Sequence, residues 1–212
     1  MAHPIRVLLA EDDPFAQEAV RAYLSRASDM ELVGVAGDGE EALATARSVV
    51  PDVAIVDIHM PRLDGITVTA RLVPLGVKVV CFTALGDDRT LIRALDAGAS
   101  GFLLKSDNPG LILHGVRSAY SGDALVSPKL VSALLRGTMA RSEPPAHLTD
   151  VDRQLLGLIG SGLSNAEIAG QMHLAPSTIK TYVSRLLSRL DRPNRAALAA
   201  LAYEWRLVPP LG

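Results

Sequence analysis

Residues 54–65 read AIVDIHMPRLDG. Three apolar residues, Ala54-Ile55-Val56, run straight into a carboxylate, Asp57, and the chain then turns through Met60-Pro61. Taken alone, an acid at the tip of a buried strand reads equally well as a solubilising residue or as a functional one. The neighbouring segments decide between the two.

Working outward, apolar runs of the same kind recur at 6–10, 31–36, 77–82 and 101–104, and helix-like segments lie at 14–27, 39–49, 65–72, 88–97 and 109–120. A fivefold strand–helix alternation predicts a parallel sheet covered on both faces, with strands that read as unbroken apolar runs because both sides are buried. Pro51, Pro74 and Gly98 punctuate the helix ends. Beyond Tyr120 the alternation stops. The polar stretch RGTMARSEPPAH, 136–147, reads as part of a linker, and everything after it reads as helical. These signals divide the chain into residues 1–121, a linker over 122–146, and a second domain over 147–212.

Composition narrows the classes further. Hydrophobic residues make up 49% of the 212, enough for packed cores. The single cysteine, Cys81, lies in an apolar run, so no disulfide framework is possible and a reducing cytoplasm is expected. The N-terminus runs from a short apolar stretch into acids, unlike a secretory leader, and no stretch approaches the ~18 apolar residues of a membrane span. Net charge is −2 overall, but residues from Arg141 onward carry +2, leaving an acidic first domain joined to a weakly basic second one.

In a parallel α/β sheet, ligands bind outside the carboxyl ends of the strands. Here the first strand ends in Glu11-Asp12-Asp13, the third in Asp57, the fourth in Thr83 and the fifth in Lys105. The second, ending near Gly37-Asp38, adds nothing evident. Crowded carboxylates need a cation, and hard oxygen donors suit Mg²⁺ or Mn²⁺. A carboxylate can attack phosphorus, while a metal and a lysine neutralise the transferring group and a hydroxyl donates to it. Phosphorylation on Asp57 is therefore expected.

VLLAEDD, IVDIHMPRLDG, CFTA and GFLLK, in that order, resemble the receiver domain of bacterial response regulators over about residues 5–120. The resemblance implies a flavodoxin-like, doubly wound, five-stranded parallel sheet. It implies Asp57 as phosphoacceptor, Asp12 as a direct Mg²⁺ ligand, Glu11 acting mostly through water, and the backbone carbonyl of His59 completing the metal site. It makes Thr83 and Phe102 the switch pair and Lys105 the phosphate partner. Phe102 departs from the commoner tyrosine. His59 and Leu85 are expected to flank the path by which water reaches the phosphoryl group. Such a protein is no dedicated enzyme, although it would phosphorylate and dephosphorylate itself with Mg²⁺.

In the second domain, Thr149 with Asp152 and Ser164 with Glu167 have the spacing of capping boxes. In STIKTYVSRLLSRL, Ile179, Val183, Leu186, Leu187 and Leu190 share one helix face. Ser177, Lys180, Thr181, Ser184 and Ser188 share the other, flanked by Arg185 and Arg189, with Thr178 beside them. Small hydroxyls with one lysine suit a helix in a DNA major groove. The whole segment resembles the LuxR-type helix-turn-helix of NarL/FixJ response regulators. Two departures stand out: Ala175 at the N-cap and Asp191 where glycine commonly ends the helix. Asn194 is expected to cap a last, alanine-rich helix able to pair with a twofold mate, and Trp205 to anchor a core or interface.

Together these readings predict a transcriptional regulator phosphorylated by a sensor histidine kinase, dimeric when phosphorylated, and bound to an inverted-repeat operator in double-stranded DNA without a membrane partner. A haloacid-dehalogenase-like phosphatase would need a second acid two residues after its nucleophile, where this chain has His59. A regulator that binds DNA without ever being phosphorylated remains the alternative.

Overall fold

The computed structural model describes residues 3–84, 88–106, 110–122, 125–126, 144–145 and 147–208. The chain forms two compact units, Met1–Leu125 and Val126–Gly212.

In the first unit, strands β1 (Ile5–Ala10), β2 (Met30–Ala36), β3 (Val53–Asp57), β4 (Lys78–Thr83) and β5 (Gly101–Leu104) alternate with helices α1 (Pro14–Leu24), α2 (Gly39–Val49), α3 (Gly65–Leu72), α4 (Asp88–Asp96) and α5 (Gly110–Ser121). The first five strands pair in parallel in the order β2-β1-β3-β4-β5. The five-stranded expectation gains a short edge strand, β6 (Leu125–Val126), inside the stretch read as linker. Most of that stretch, and Leu85, lie outside the described residues.

Every residue of β3 is buried, and Leu9 and Ile55 are wholly enclosed. Complete burial of such a side chain contributes about 1.5–3 kcal/mol, so the paired apolar runs set the register. Ala10 lies beside Val56, and Asp57 beside Phe82. The order reverses between β1 and β3, which places the crevice of a doubly wound sheet at their carboxyl ends.

The second unit contains helices α6 (Asp150–Gly160), α7 (Asn165–Met172), α8 (Pro176–Arg189) and α9 (Arg195–Glu204). Both expected capping boxes form, as does the Asn194 cap on Ala197. His173 and Asp191 adopt the left-handed turns that end α7 and follow α8, at φ 54° and 50°. Leu155, Leu156, Ile159, Ile168, Ile179 and Leu198 form the centre of the core. Ala196, Ala199 and Ala202 are buried within this unit, and a side chain on Gly160 would collide with Ala202. These three alanines of α9 therefore serve close packing inside their own domain, while Ala197 and Ala200 are half-buried. Trp205 packs half-buried against the same core.

Candidate functional site

The rim groups reach one another at the sheet's carboxyl edge. Glu11 follows β1 and is fully buried, Asp57 closes β3 at 4% exposure, and Asp12 stands exposed beside them. Carboxylate oxygens of all three lie within 4.8 Å of one another. From the end of β5, the Lys105 ammonium donates to Glu11 Oε1 and to Asp57 Oδ2, each at 2.7 Å. The backbone N–H of Lys105 also donates to the Thr83 carbonyl at 2.8 Å, tying the ends of β4 and β5 together.

Electrostatics follow from this geometry. Burial pushes the Glu11 carboxyl above its ordinary value, and the hydrogen bond from Lys105 offsets only part of that. Burial works against the charge of Lys105, but the Asp57 and Glu11 hydrogen bonds outweigh it and hold its pKa above the usual lysine value. Glu11 Oε2 is buried and has no hydrogen-bond partner among the described residues. An orphaned carboxylate oxygen among three hard donors fits a small divalent cation.

The loop after Asp57 is shaped by close contacts. The His59 N–H donates to Asp57 Oδ1 at 3.2 Å, and the Gly65 N–H donates to the Ile58 carbonyl at 2.9 Å. Any side chain on Gly65 would overlap the Asp57 carbonyl. Asp64 then caps α3 by accepting from Thr67 N–H at 2.7 Å. The His59 ring is exposed, and its Nδ1 lies 3.5 Å from Thr83 Oγ1, a proximity absent from the motif reading. Thr83 and Phe102 are both buried. Asp13 caps α1 by accepting from Phe15 N–H.

On α8, Ser177, Lys180, Thr181, Ser184, Arg185, Ser188 and Arg189 are exposed and Thr178 is half-buried, while Ile179, Val183 and Leu186 are buried. Three hydroxyls turn back on the helix: Thr181 donates to the Ser177 carbonyl, Ser184 to that of Lys180 and Ser188 to that of Ser184. Arg189, expected on the DNA face, is held by Asp152 in an ion pair. Asp152 accepts the Thr149 N–H as well, so Arg189 ties the end of α8 to the start of α6. The N-cap Ala175 makes no side-chain cap.

Residue-type reasoning missed Arg195. It is 5% exposed, and its guanidinium donates to Asn165 Oδ1 and the Leu163 carbonyl, fastening α9 to the start of α7. Its only sequence signal is an arginine next to an N-cap, which ordinarily reads as solvated.

Among the described residues no helix is long and apolar enough to cross a membrane. Residues 7–117 match the family profile described as response regulator receiver domain, and residues 146–202 that described as bacterial regulatory proteins, luxR family. The response regulator protein VraR of Staphylococcus aureus is 32% identical over 207 residues, spanning 96% of this chain and 99% of its own. The crystal structure of the response regulator ChrA, from a heme-sensing two-component system, aligns with 29% identity and a TM-score of 0.55, over 98% of this chain and 100% of its own. The NarL receiver domain from Mycobacterium tuberculosis aligns with 34% identity and a TM-score of 0.55, over 57% of this chain and 99% of its own. With both halves matched in order along a single chain, this protein belongs to the two-component response regulators that carry a LuxR-type DNA-binding domain.

Proposed function

We propose that a sensor histidine kinase phosphorylates Asp57, and that this promotes dimerisation and binding to an inverted-repeat operator. In this reading residues 1–121 are the phosphoacceptor domain, 122–146 the linker and 147–212 the DNA-binding domain, working in the cytoplasm. The observation that carries it is the double contact of Lys105 with Glu11 and Asp57 beside exposed Asp12.

Glu11, Asp12, Asp57 and the His59 carbonyl would hold Mg²⁺ or Mn²⁺, which supplies charge neutralisation for phosphoryl transfer. An Asp57 oxygen attacks phosphorus, the P–N bond of the phosphohistidine breaks, and the imidazole leaves with the electron pair and takes a proton. Lys105 moves from bridging two carboxylates to pairing with the phosphoryl oxygens. Thr83 turns its hydroxyl to the new anion, and Phe102 repacks in response. The Asp57 phosphate thereby biases the receiver toward a dimerising conformation.

Two recognition helices on a twofold axis then read the two half-sites, with Ser177, Thr178, Lys180, Thr181, Ser184, Arg185 and Ser188 toward the groove. Arg189 reaches phosphate only by leaving Asp152. One helix carries few free cations, so a single copy grips DNA weakly and the dimer roughly doubles the phosphate contacts.

The test combines acetyl phosphate and Mg²⁺ with mass spectrometry, operator titration and sedimentation velocity. Wild type should gain one phosphoryl group, dimerise and bind its operator more tightly. Asp57→Asn should do none of these, and Asp12→Ala should lose the Mg²⁺ dependence. A phosphoryl group on another acid in Asp57→Asn would refute the site. Equal operator affinity with and without phosphate on Asp57 would favour constitutive DNA binding.

A further inference from the structure

The end of β2, which carries no group of the acid cluster, meets the loop that follows Asp57. Asp38 is 1% exposed. Its Oδ1 caps α2, accepting from the Glu40 and Glu41 N–H groups at 2.9 Å each. Its Oδ2 makes no hydrogen bond among the described residues and meets the Arg62 guanidinium in an ion pair. A carboxylate buried this deeply needs its charge answered, and helix N–H groups answer only one of its oxygens.

Arg62 is an unusual residue for its place. Its side chain is 63% exposed, yet its backbone is left-handed at φ 65°, a conformation disfavoured for a long side chain. Beside the ion pair, Gly39 lies so close to Leu63 that any side chain there would strike the Leu63 carbonyl. The loop 58–64 is thus held at one end by Gly65 against Asp57 and in its middle by the start of α2. The same loop supplies the His59 N–H that bonds Asp57 Oδ1.

We propose that Asp38 and Arg62 form a clamp that sets the loop 58–64 against the acid cluster, making both of them positioning residues for cation binding at Glu11, Asp12 and Asp57. Neither forms a hydrogen bond or ion pair with the cluster among the described residues. Their ion pair fixes where the His59 backbone sits, and with it the geometry offered to a cation. The proposal rests on the reading of that cluster as a Mg²⁺ site.

Asp38→Asn separates the two roles of this residue, because asparagine keeps the α2 cap and loses the charge. In the full-length protein, Mg²⁺ titrations followed by amide NMR shifts should show binding about tenfold weaker in Asp38→Asn and in Arg62→Ala, the low end of what supports behind metal ligands contribute. Arg62→Lys should recover most of the affinity, and the double variant Asp38→Asn/Arg62→Ala should be no weaker than either single one. Thermal midpoints near wild type for Asp38→Asn would separate positioning from general loss of structure. Unchanged Mg²⁺ affinity in both single variants, with wild type binding normally, would overturn the clamp and leave the metal site standing. Weakening in Asp38→Asn alone, with Arg62→Ala binding like wild type, would show that the ion pair is not what positions the loop and would overturn it too. No Mg²⁺ binding by wild type would remove the underlying site, and the clamp with it.

Discussion

At the carboxyl edge of the sheet the charges answer one another: Lys105 holds Glu11 and Asp57 at 2.7 Å, and all but Asp12 are largely shielded from solvent. Along α8 most polar groups are exposed, and three hydroxyls are bonded to their own helix. The first surface is a buried network in which every member depends on its neighbours, so small changes propagate. The second, apart from Arg189 and its tie to Asp152, is a set of independent side chains on a helix whose stability comes from its other face. Loss of function at the rim should therefore accompany a change in stability, and loss of function on α8 should not.

The largest break in that contrast is expected at Gly65. Because a methyl group there would overlap the Asp57 carbonyl, Gly65→Ala has to displace either α3 or the end of β3. Forced overpacking of this kind costs about 3 kcal/mol, read as a lower urea midpoint for the first domain, with phosphorylation of Asp57 lost at the same time. A midpoint near wild type would mean that the loop yields freely and that the rim is not rigid.

Glu11 sharpens the comparison in the opposite direction. Its carboxyl is held above the ordinary value, chiefly by burial, so the folded protein binds this proton more readily than the unfolded chain does. The corresponding stability is present at acid pH and is lost as pH rises through the raised folded-state pKa. At neutral pH without metal, Glu11→Gln should be more stable than wild type by about 1–2 kcal/mol, on the scale of an unsatisfied buried polar group. The variant should also lack the wild-type gain on acidification and show no stabilisation by Mg²⁺. Thermal melts across pH, with and without Mg²⁺, would read all three. A variant less stable than wild type at neutral pH would show that the contact with Lys105 outweighs the burial of the charge.

The contrast also explains what the sequence made legible. Rim residues could be found because unbroken apolar runs end in polar groups, and in a parallel sheet those ends converge. The segments read as 39–49 and 65–72 coincide with α2 and α3, whose starts are capped by Asp38 and Asp64. The end of α1 was not: the helix stops at Leu24, and no glycine or proline marks the stop before Ala27. The two-residue β6 lacks a periodic signal, which left it inside the linker reading. The pairs Asp38–Arg62 and Asp152–Arg189, and the anchor at Arg195, join residues 24 to 37 positions apart. They depend on tertiary proximity, which neither spacing nor residue type encodes, so Arg189 read as a DNA contact and Arg62 and Arg195 carried no signal of a partner.

On α8 the effects should be smaller and separable. The N-cap at Ala175 has extended backbone, φ −76° and ψ 145°, but no side-chain acceptor for the first turn. Ala175→Ser should supply one and raise the stability of the second domain by about 1 kcal/mol, measured by thermal unfolding. No gain would mean that the extended Ala175 backbone does not place a serine oxygen within reach of the first-turn N–H groups.

The smallest change in stability, and the cleanest test of independence, is expected at Ser184. Its hydroxyl donates to the Lys180 carbonyl at 3.0 Å and lies exposed. Back-bonding of this kind slightly destabilises a helix, and alanine is the better helix former, so Ser184→Ala should raise stability by no more than about 0.5 kcal/mol. The bond spends the hydroxyl hydrogen on the helix and leaves the oxygen lone pairs facing outward, suited to accept from an amino group on a base edge in the major groove. Losing such a single contact should weaken operator binding by about 1 kcal/mol, roughly fivefold, while non-specific DNA binding stays unchanged because no phosphate contact is lost. Stability up and specific affinity down in one variant, with Mg²⁺ binding at the rim unchanged, would mark Ser184 as acting independently of the acid cluster. Operator affinity equal to wild type would remove Ser184 from the reading face and shift attention to Lys180 and Thr181, one turn earlier on the helix.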